Sequence, residues 1–196
     1  MRKNSEKTGT NGKKSKPRCL ILDDTLLEKS GKKIEKIGKV FDHVSKRMVL
    51  GFRLLVGLYF DGTSAIPVDF SIVREKGKDA EKPFGLSKKH FRRQFSKKRA
   101  KESEGVLRVK ELDISKIDLS IQLFLRAVLH GISVDYVLCD SWFTCLDLIT
   151  AVQQKGSHLI GMYKIVKTKF DYRGKKLSYK DSIRKLRVNG RDVPSD

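Results

Sequence analysis

The sequence has no long apolar segment and few cysteines, and both absences exclude whole classes of protein. No apolar run approaches the roughly 18–20 residues that a bilayer-spanning helix needs. Residues 1–18 lack the apolar core of a secretory signal, so we expect neither a membrane protein nor an exported one. The cysteines, Cys19, Cys139 and Cys145, are too unevenly spaced for a disulfide framework or a zinc site. They indicate a reducing cytoplasm.

Acidic residues are also scarce. The 196 residues include 23 Asp and Glu against 43 Lys and Arg, which gives a formal net charge of +20. Such an excess indicates a polyanionic partner, with nucleic acid first and an anionic membrane surface second. Residues 1–18 carry seven basic residues and one acid, and this composition predicts a flexible basic tail. The folded part is therefore expected over residues 19–196.

Short apolar runs predict the strands. Residues 19–22 form such a run, stopped by Asp23 and Asp24, which predicts a buried strand with carboxylates at its end. Residues 48–60 and 65–73 predict a β-hairpin, because a loop containing glycine joins them. Further strands are predicted at 134–139 and 158–163, and a hairpin turn at 171–174.

Two amphipathic segments predict helices. The first covers 117–129, with Ser115 or Asp113 as its N-cap and Gly131 just past its end. The second begins near Phe143 and closes at Gly156. The predicted order is three strands, a basic insertion, a helix, a strand, a second helix and a last strand. This order indicates a mixed α/β sheet flanked by helices.

The basic insertion lies between the third strand and the first core helix. Its centre, 87–101, has eight Lys and Arg and no acid, and Phe91 and Phe95 four residues apart predict a short amphipathic helix. We expect both rings to anchor this helix on the core rather than to stack on bases. Contact with DNA phosphates is favoured over a solvated loop without specific contacts. The candidate DNA-binding residues are Lys88, Lys89, Arg92, Arg93, Lys97, Lys98 and Arg99.

Two of the predicted strands end in aspartate, at Asp23-Asp24 and at Asp140. Carboxylates at adjacent strand ends can hold Mg²⁺, and metal ions held in this way can activate an attacking oxygen and stabilise a leaving one. In the alternative reading, Asp23 and Asp24 begin a turn and Asp140 caps the following helix. Trp142, just after the second site, is expected to be a packing residue.

Four segments resemble a known family. Residues 20–25 (LILDDT), 28–32 (EKSGK) and 40–43 (VFDH) resemble the region around the first catalytic aspartate of bacterial DDE transposases of the IS-four-like group. Residues 137–143 (VLCDSWF) resemble the block around their second aspartate. The resemblance spans about residues 19 to 180.

The resemblance implies an RNase H-like core, a five-stranded mixed sheet in which the first and fourth strands are neighbours and carry the first two acids. It also implies that Asp24 is the first catalytic acid, with Asp23 in reserve, and that Asp140 is the second. Both would coordinate Mg²⁺ or Mn²⁺.

The sequence departs from this family at its third acid, a glutamate on a helix after the fifth strand. No glutamate follows Glu111. The chain also begins close to its first aspartate, without room for the family's N-terminal DNA-binding domain. We therefore expect a catalytic domain that is incomplete at its C-terminus and holds two of three ligands. The acids beyond Asp140 are Asp147, Asp171, Asp181, Asp192 and Asp196.

The resemblance implies a transposase catalytic domain that cleaves and joins DNA strands by metal-dependent phosphoryl transfer. Its partner would be double-stranded DNA, at transposon ends and at the target, bound by a homodimer. The location would be the bacterial cytoplasm, at the nucleoid, with no membrane contact. Two alternatives on the same fold are a non-catalytic basic DNA-binding protein and a structure-selective nuclease. Divalent-metal dependence distinguishes the catalytic readings from the non-catalytic one.

Overall fold

Six strands and four helices build the part of the chain up to Gly161, and a smaller second unit follows it. The computed structural model describes residues 16–77, 79–164 and 169–188. The strands are β1 (Cys19–Glu28), β2 (Gly38–Asp42), β3 (Arg47–Phe60), β4 (Ala65–Val73), β5 (Tyr136–Cys139) and β6 (His158–Gly161). The helices are α1 (Lys88–Phe91), α2 (Glu104–Glu111), α3 (Lys116–Leu129) and α4 (Leu146–Gln154). None of the described helices is long and apolar enough to cross a bilayer.

The six strands form one mixed sheet. The long strand β3 pairs antiparallel with β1 on one side, and with β2 and then β4 on the other. Strand β1 also pairs in parallel with β5, which pairs in parallel with β6. The mixed α/β sheet is therefore confirmed, with β1 beside the strand that follows the first core helix. The expected count of five strands is wrong, because the sheet has six. The strand that the sequence analysis missed is β2, which has only two apolar residues and lies in a basic stretch.

Strand β1 is longer than its apolar run. It pairs with β3 along its whole length, to Glu28, but with β5 only as far as Leu22. The prediction that β1 stops at Asp23 is wrong. The hydrogen bonds between the β1 and β3 backbones continue past Asp23, because they do not depend on which side chains the strand carries. Asp23 and Asp24 thus lie within β1, at the level where β5 ends.

The main core lies between the sheet and helices α3 and α4. Helix α3 begins as predicted, since the Ser115 hydroxyl accepts a hydrogen bond from the Asp118 backbone N–H at 3.1 Å. It ends before Gly131, which has a φ of +81°. The fully buried residues here come from both layers. They include Leu20, Leu22, Leu55, Leu119, Leu123, Phe124, Val137, Phe143, Leu148 and Val152.

The basic insertion packs against a second, smaller core, and its predicted short helix ends before it reaches Phe95. Within 87–101 only Lys88–Phe91 is helical, because the backbone then bonds outside the segment: the Phe95 N–H donates to the Lys33 carbonyl at 2.8 Å. Phe91 packs against this core as expected, whereas Phe95 is 69% exposed. The buried members are Ile37, Phe52, Leu86 and Leu112.

A partly buried group of charges around the buried Glu111 joins β4, α2 and α3, and we call it the closed network: Asp69, Ser71, Arg108, Glu111 and Arg126. Arg108 and Arg126 each contact both acids, at N···O distances of 2.6–2.9 Å. The Ser71 hydroxyl donates to Glu111 at 2.8 Å, and the Glu111 side chain is only 1% exposed. Each buried charge is therefore paired and hydrogen-bonded, as an apolar environment requires.

The second unit contains the strands β7 (Phe170–Tyr172) and β8 (Lys175–Leu177) and the helix α5 (Tyr179–Val188). Arg173 and Gly174 form the two-residue turn of its hairpin, with φ values of +52° and +75°. This confirms the predicted turn at 171–174. Of the acids that follow Asp140 in the sequence, Asp192 and Asp196 lie outside the described residues.

Most of the predicted basic tail, residues 1–15, lies outside the described residues. Arg18 belongs to the folded unit, because its guanidinium forms two hydrogen bonds with the Asp135 carboxylate, at 2.7 and 3.1 Å. The side-chain and backbone hydrogen bonds from Arg18 lower the pKa of Asp135 to about 2. This pair ties the start of β1 to the start of β5.

Candidate active site

The predicted catalytic aspartates share one open cleft, of about 360 Å³, where β5 ends beside β1. Its lining includes four carboxylates, those of Asp23, Asp24, Asp42 and Asp140. Two cationic side chains, Arg53 and Lys116, lie among them. The parallel pairing of β1 with β5 explains this convergence, since parallel neighbours bring equivalent ends to one edge.

Strand alternation decides which aspartate of β1 faces the helices. Leu20 and Leu22 are buried in the main core, so Asp24 is on the same face and Asp23 on the other. The Asp24 side chain is 10% exposed. Asp23 is exposed, and its Oδ1 accepts a hydrogen bond from the Asp24 N–H at 2.8 Å.

Both carboxylate oxygens of Asp24 are engaged by cations. Arg53 Nη1 lies 3.1 Å from Oδ2, and Lys116 Nζ lies 3.2 Å from Oδ1. Arg53 also donates to Glu75 at 2.7 Å and to the Phe41 carbonyl. Burial lowers the pKa of Arg53, but the hydrogen bond to Glu75 and the charges of Asp24 and Glu75 outweigh it and leave that pKa raised.

Asp140 organises the turn between β5 and α4. Its Oδ1 accepts a hydrogen bond from the Trp142 N–H at 2.8 Å, and its carbonyl accepts one from the Thr144 hydroxyl at 2.9 Å. The N-cap position of α4 is Cys145. The alternative reading, in which Asp140 caps this helix, is therefore wrong. Asp140 instead holds a turn that opens onto the cleft.

The two aromatic residues of this turn, Trp142 and Phe143, lie in different environments. Phe143 is fully buried in the main core, whereas Trp142 is 56% exposed and lines the cleft. The expectation that Trp142 is a packing residue is wrong, because Phe143 already fills the adjacent space. The Trp142 ring lies 5.9 Å from that of His43, and Lys116 Nζ lies 5.6 Å from the centroids of both Trp142 and Phe143.

Sequence reasoning missed Arg53 and Lys116, although each leaves a signal. Arg53 is the only charged residue in the apolar run from Met48 to Phe60, which indicates a buried partner. Lys116 is the first residue of α3, where the positive end of the helix dipole disfavours a cation. Both departures from local preference indicate an acidic partner, which the structure shows to be Asp24.

The predicted DNA-binding residues lie on the insertion, and none of the seven lines the cleft. Lys89, Arg92, Arg93, Lys97 and Lys98 are exposed. Lys88 is exposed as well and pairs with Glu81 at 3.0 Å. Arg99 is partly buried and forms hydrogen bonds with both oxygens of Glu35. The structure thus leaves most of these charges facing solvent.

The donor chemistry of the cleft fits a hard divalent cation. Mg²⁺ is usually held by one or two carboxylates together with waters and substrate phosphates, and Asp24 and Asp140 supply two carboxylates. Within the described residues, no group of three or more His, Cys, Asp or Glu converges as a ready metal site. A cation at Asp24 therefore has to compete with the side chains already bound there.

The sequence matches the model of one protein family, described as the DDE superfamily endonucleases, over residues 12–167. No curated protein matches the chain. Two solved structures resemble it weakly. The Drosophila P element transposase strand transfer complex has a TM-score of 0.32 and 12% identity, and the piggyBac transposase synaptic complex with hairpin DNA has 0.31 and 14%. The alignments cover 91% and 90% of this chain but only 36% and 26% of those chains.

Proposed function

Because the chain belongs to the DDE superfamily endonucleases, we propose that it is a transposase catalytic domain that cleaves and joins DNA strands at transposon ends. Within this superfamily we assign it to the bacterial IS-four-like group, on residues 20–43 and 137–143, and its core to the RNase H-like type. The observation that carries the proposal is the meeting of Asp24 and Asp140 in one cleft.

In this proposal, Asp24 and Asp140 bind Mg²⁺ or Mn²⁺, with Asp23 as the reserve ligand. A divalent ion in such a site activates the attacking oxygen and stabilises charge on the leaving oxygen of the phosphodiester. Arg53 orients Asp24, because Glu75 and the Phe41 carbonyl fix its guanidinium. The third acid of the family has no assigned counterpart, so the chain supplies two of three ligands.

The exposed basic side chains of the insertion are the proposed phosphate-binding surface. Their charge would draw double-stranded DNA, both transposon ends and target, towards the domain. We propose action at the bacterial nucleoid, with two copies assembled on the DNA and without a membrane.

A non-catalytic DNA-binding protein remains the second candidate. It is favoured by the engagement of both Asp24 oxygens by Arg53 and Lys116. It is favoured also by the lack of a three-acid group in the part of the chain that the structure covers. In this candidate the basic insertion binds DNA and the cleft carries no reaction.

Nicking of supercoiled plasmid DNA with Mg²⁺ or Mn²⁺ tests the proposal. Asp24→Asn and Asp140→Asn should each reduce nicking by at least about a hundredfold, since even outer-shell changes at metal sites cost 10–100-fold. Asp147→Asn is the matched control, because Asp147 is an exposed aspartate seven residues beyond Asp140. Equal nicking by all variants would refute the assignment. DNA binding without nicking by the unaltered chain would favour the second candidate.

The salt dependence of DNA affinity tests the basic surface separately. Replacing Arg92, Arg93, Lys97 and Lys98 by glutamine should flatten the slope of log affinity against log salt by about 0.9 for each DNA phosphate that the variant no longer neutralises. Lys155→Gln, at an exposed lysine after α4, should leave the slope unchanged. An unaltered slope in the fourfold variant would show that the insertion does not contact DNA.

A further inference from the structure

The two cationic side chains that contact Asp24, those of Arg53 and Lys116, differ in their other contacts. Arg53 is buried, with 8% of its side chain exposed, and it is also bound to Glu75 and to the Phe41 carbonyl. Lys116 is 29% exposed, and among the described residues Asp24 is its one carboxylate partner. Its Nζ also lies over the rings of Trp142 and Phe143, 5.6 Å from each centroid. Arg53 is therefore fixed, whereas Lys116 can leave.

Helix stability does not explain the position of Lys116. It occupies the first turn of α3, where backbone N–H groups and the helix dipole favour an anion. A lysine there is placed for its partner across the cleft. Its ammonium group, a compact charge on a flexible stem, can change partners without any movement of the backbone.

A divalent cation that approaches Asp24 meets both positive charges. Like charges a few ångströms apart repel strongly in a partly buried site, so one of them has to withdraw from the carboxylate. Only Lys116 has both the exposure and the freedom to do so. Once released, its ammonium group lies beside an open cleft and is available to a phosphate oxygen.

We propose that Lys116 is an exchangeable counter-ion, which neutralises Asp24 in the metal-free protein and transfers to a DNA phosphate when a divalent cation binds. This inference rests on the proposed function, because it requires the cleft to receive metal and DNA. It predicts that the divalent cation and DNA bind cooperatively, because DNA that engages Lys116 removes a competitor of the metal for Asp24. Such coupling is reciprocal between the two binding equilibria.

Trp142 provides the readout, because it is the single tryptophan of the chain and Lys116 lies against its ring. Tryptophan fluorescence is followed during Mg²⁺ titration, with and without a saturating short DNA duplex. For the unaltered chain, DNA should tighten Mg²⁺ binding severalfold. In Lys116→Met, Mg²⁺ should bind roughly tenfold tighter without DNA, the order expected for removal of a nearby unit charge. In this variant, DNA should increase the Mg²⁺ affinity less than it does in the unaltered chain.

Two variants control for charge and for general effects. Lys116→Arg keeps a positive charge beside Asp24 and should keep the weak, DNA-dependent Mg²⁺ binding of the unaltered chain. Lys155→Met removes an exposed lysine outside the cleft and should change neither affinity. Circular dichroism confirms that each variant is folded.

The outcomes separate this inference from the proposed function. Mg²⁺ and DNA binding with the same coupling in Lys116→Met would overturn the counter-ion role and leave the proposed function standing. Absence of Mg²⁺ binding in the unaltered chain, with and without DNA, would overturn both.

Discussion

Two clusters in this protein are built on the same plan, an aspartate held by two cations, yet they differ in what else their cations bind. In the closed network, Asp69 pairs with Arg108 and Arg126 beside the buried Glu111. In the cleft, Asp24 pairs with Arg53 and Lys116. The closed network has two arginines that also share a second acid, whereas one cation of the cleft is a partly exposed lysine.

The comparison shows what separates a fixed group of charges from one in which a cation can change partners. Arginine binds two carboxylates at once through its planar fork, so the closed network has one stable arrangement. A lysine on an open cleft makes fewer contacts and exchanges partners.

Breaking the closed network should cost the most stability. Glu111→Gln leaves the charges of Arg108 and Arg126 short of an anion in a buried site, and removal of one partner from a buried pair costs about 3–5 kcal/mol. Urea unfolding should show a lower midpoint with an unchanged slope. A decrease below about 1 kcal/mol would mean that the network is more hydrated than the 1% exposure of Glu111 indicates.

A matched pair of cation deletions compares the two clusters directly. Arg126→Met should lower the free energy of unfolding by about 1–3 kcal/mol, because it removes hydrogen bonds from the buried Glu111 and the partly buried Asp69. Lys116→Met should lower it by about 1 kcal/mol or less, because Asp24 keeps Arg53 and Lys116 is partly exposed. Equal decreases in urea unfolding would remove the distinction between a fixed and an exchangeable cation.

The smallest effect belongs to the exposed pair of Arg18 and Asp135. The folded-state pKa of Asp135 is lowered from 3.8 to about 2, so its contribution to stability is complete above pH 3.8 and is lost as the pH falls to about 2. In Asp135→Asn this part of the acid-induced destabilisation should be absent. The two unfolding curves should therefore differ above pH 4 and converge by pH 2. A constant difference across this range would contradict the pairing.

The sequence predicted best what depends on local pattern. The apolar runs located five of the six strands, although not the end of β1, and the capping signals of Ser115 and Gly131 located α3. Because parallel neighbours meet at one edge, the order of elements also brought Asp24 and Asp140 to one cleft.

What it missed depends on contacts distant in the chain. The short helix predicted to carry Phe91 and Phe95 ends after Phe91, because the Phe95 N–H bonds to the Lys33 carbonyl instead. Trp142 is exposed because the adjacent Phe143, and not Trp142, is the ring that is buried in the core. No local pattern names Asp24 as the partner of Arg53 and Lys116, which lie 29 and 92 residues away.

Calorimetric titration with Mg²⁺ in the presence of a DNA duplex tests the central claim most directly, that Asp24 and Asp140 jointly hold a divalent cation. The account predicts one binding event in the unaltered chain and in Asp147→Asn, and its absence in both Asp24→Asn and Asp140→Asn. Binding of unchanged affinity in the last two variants would contradict it.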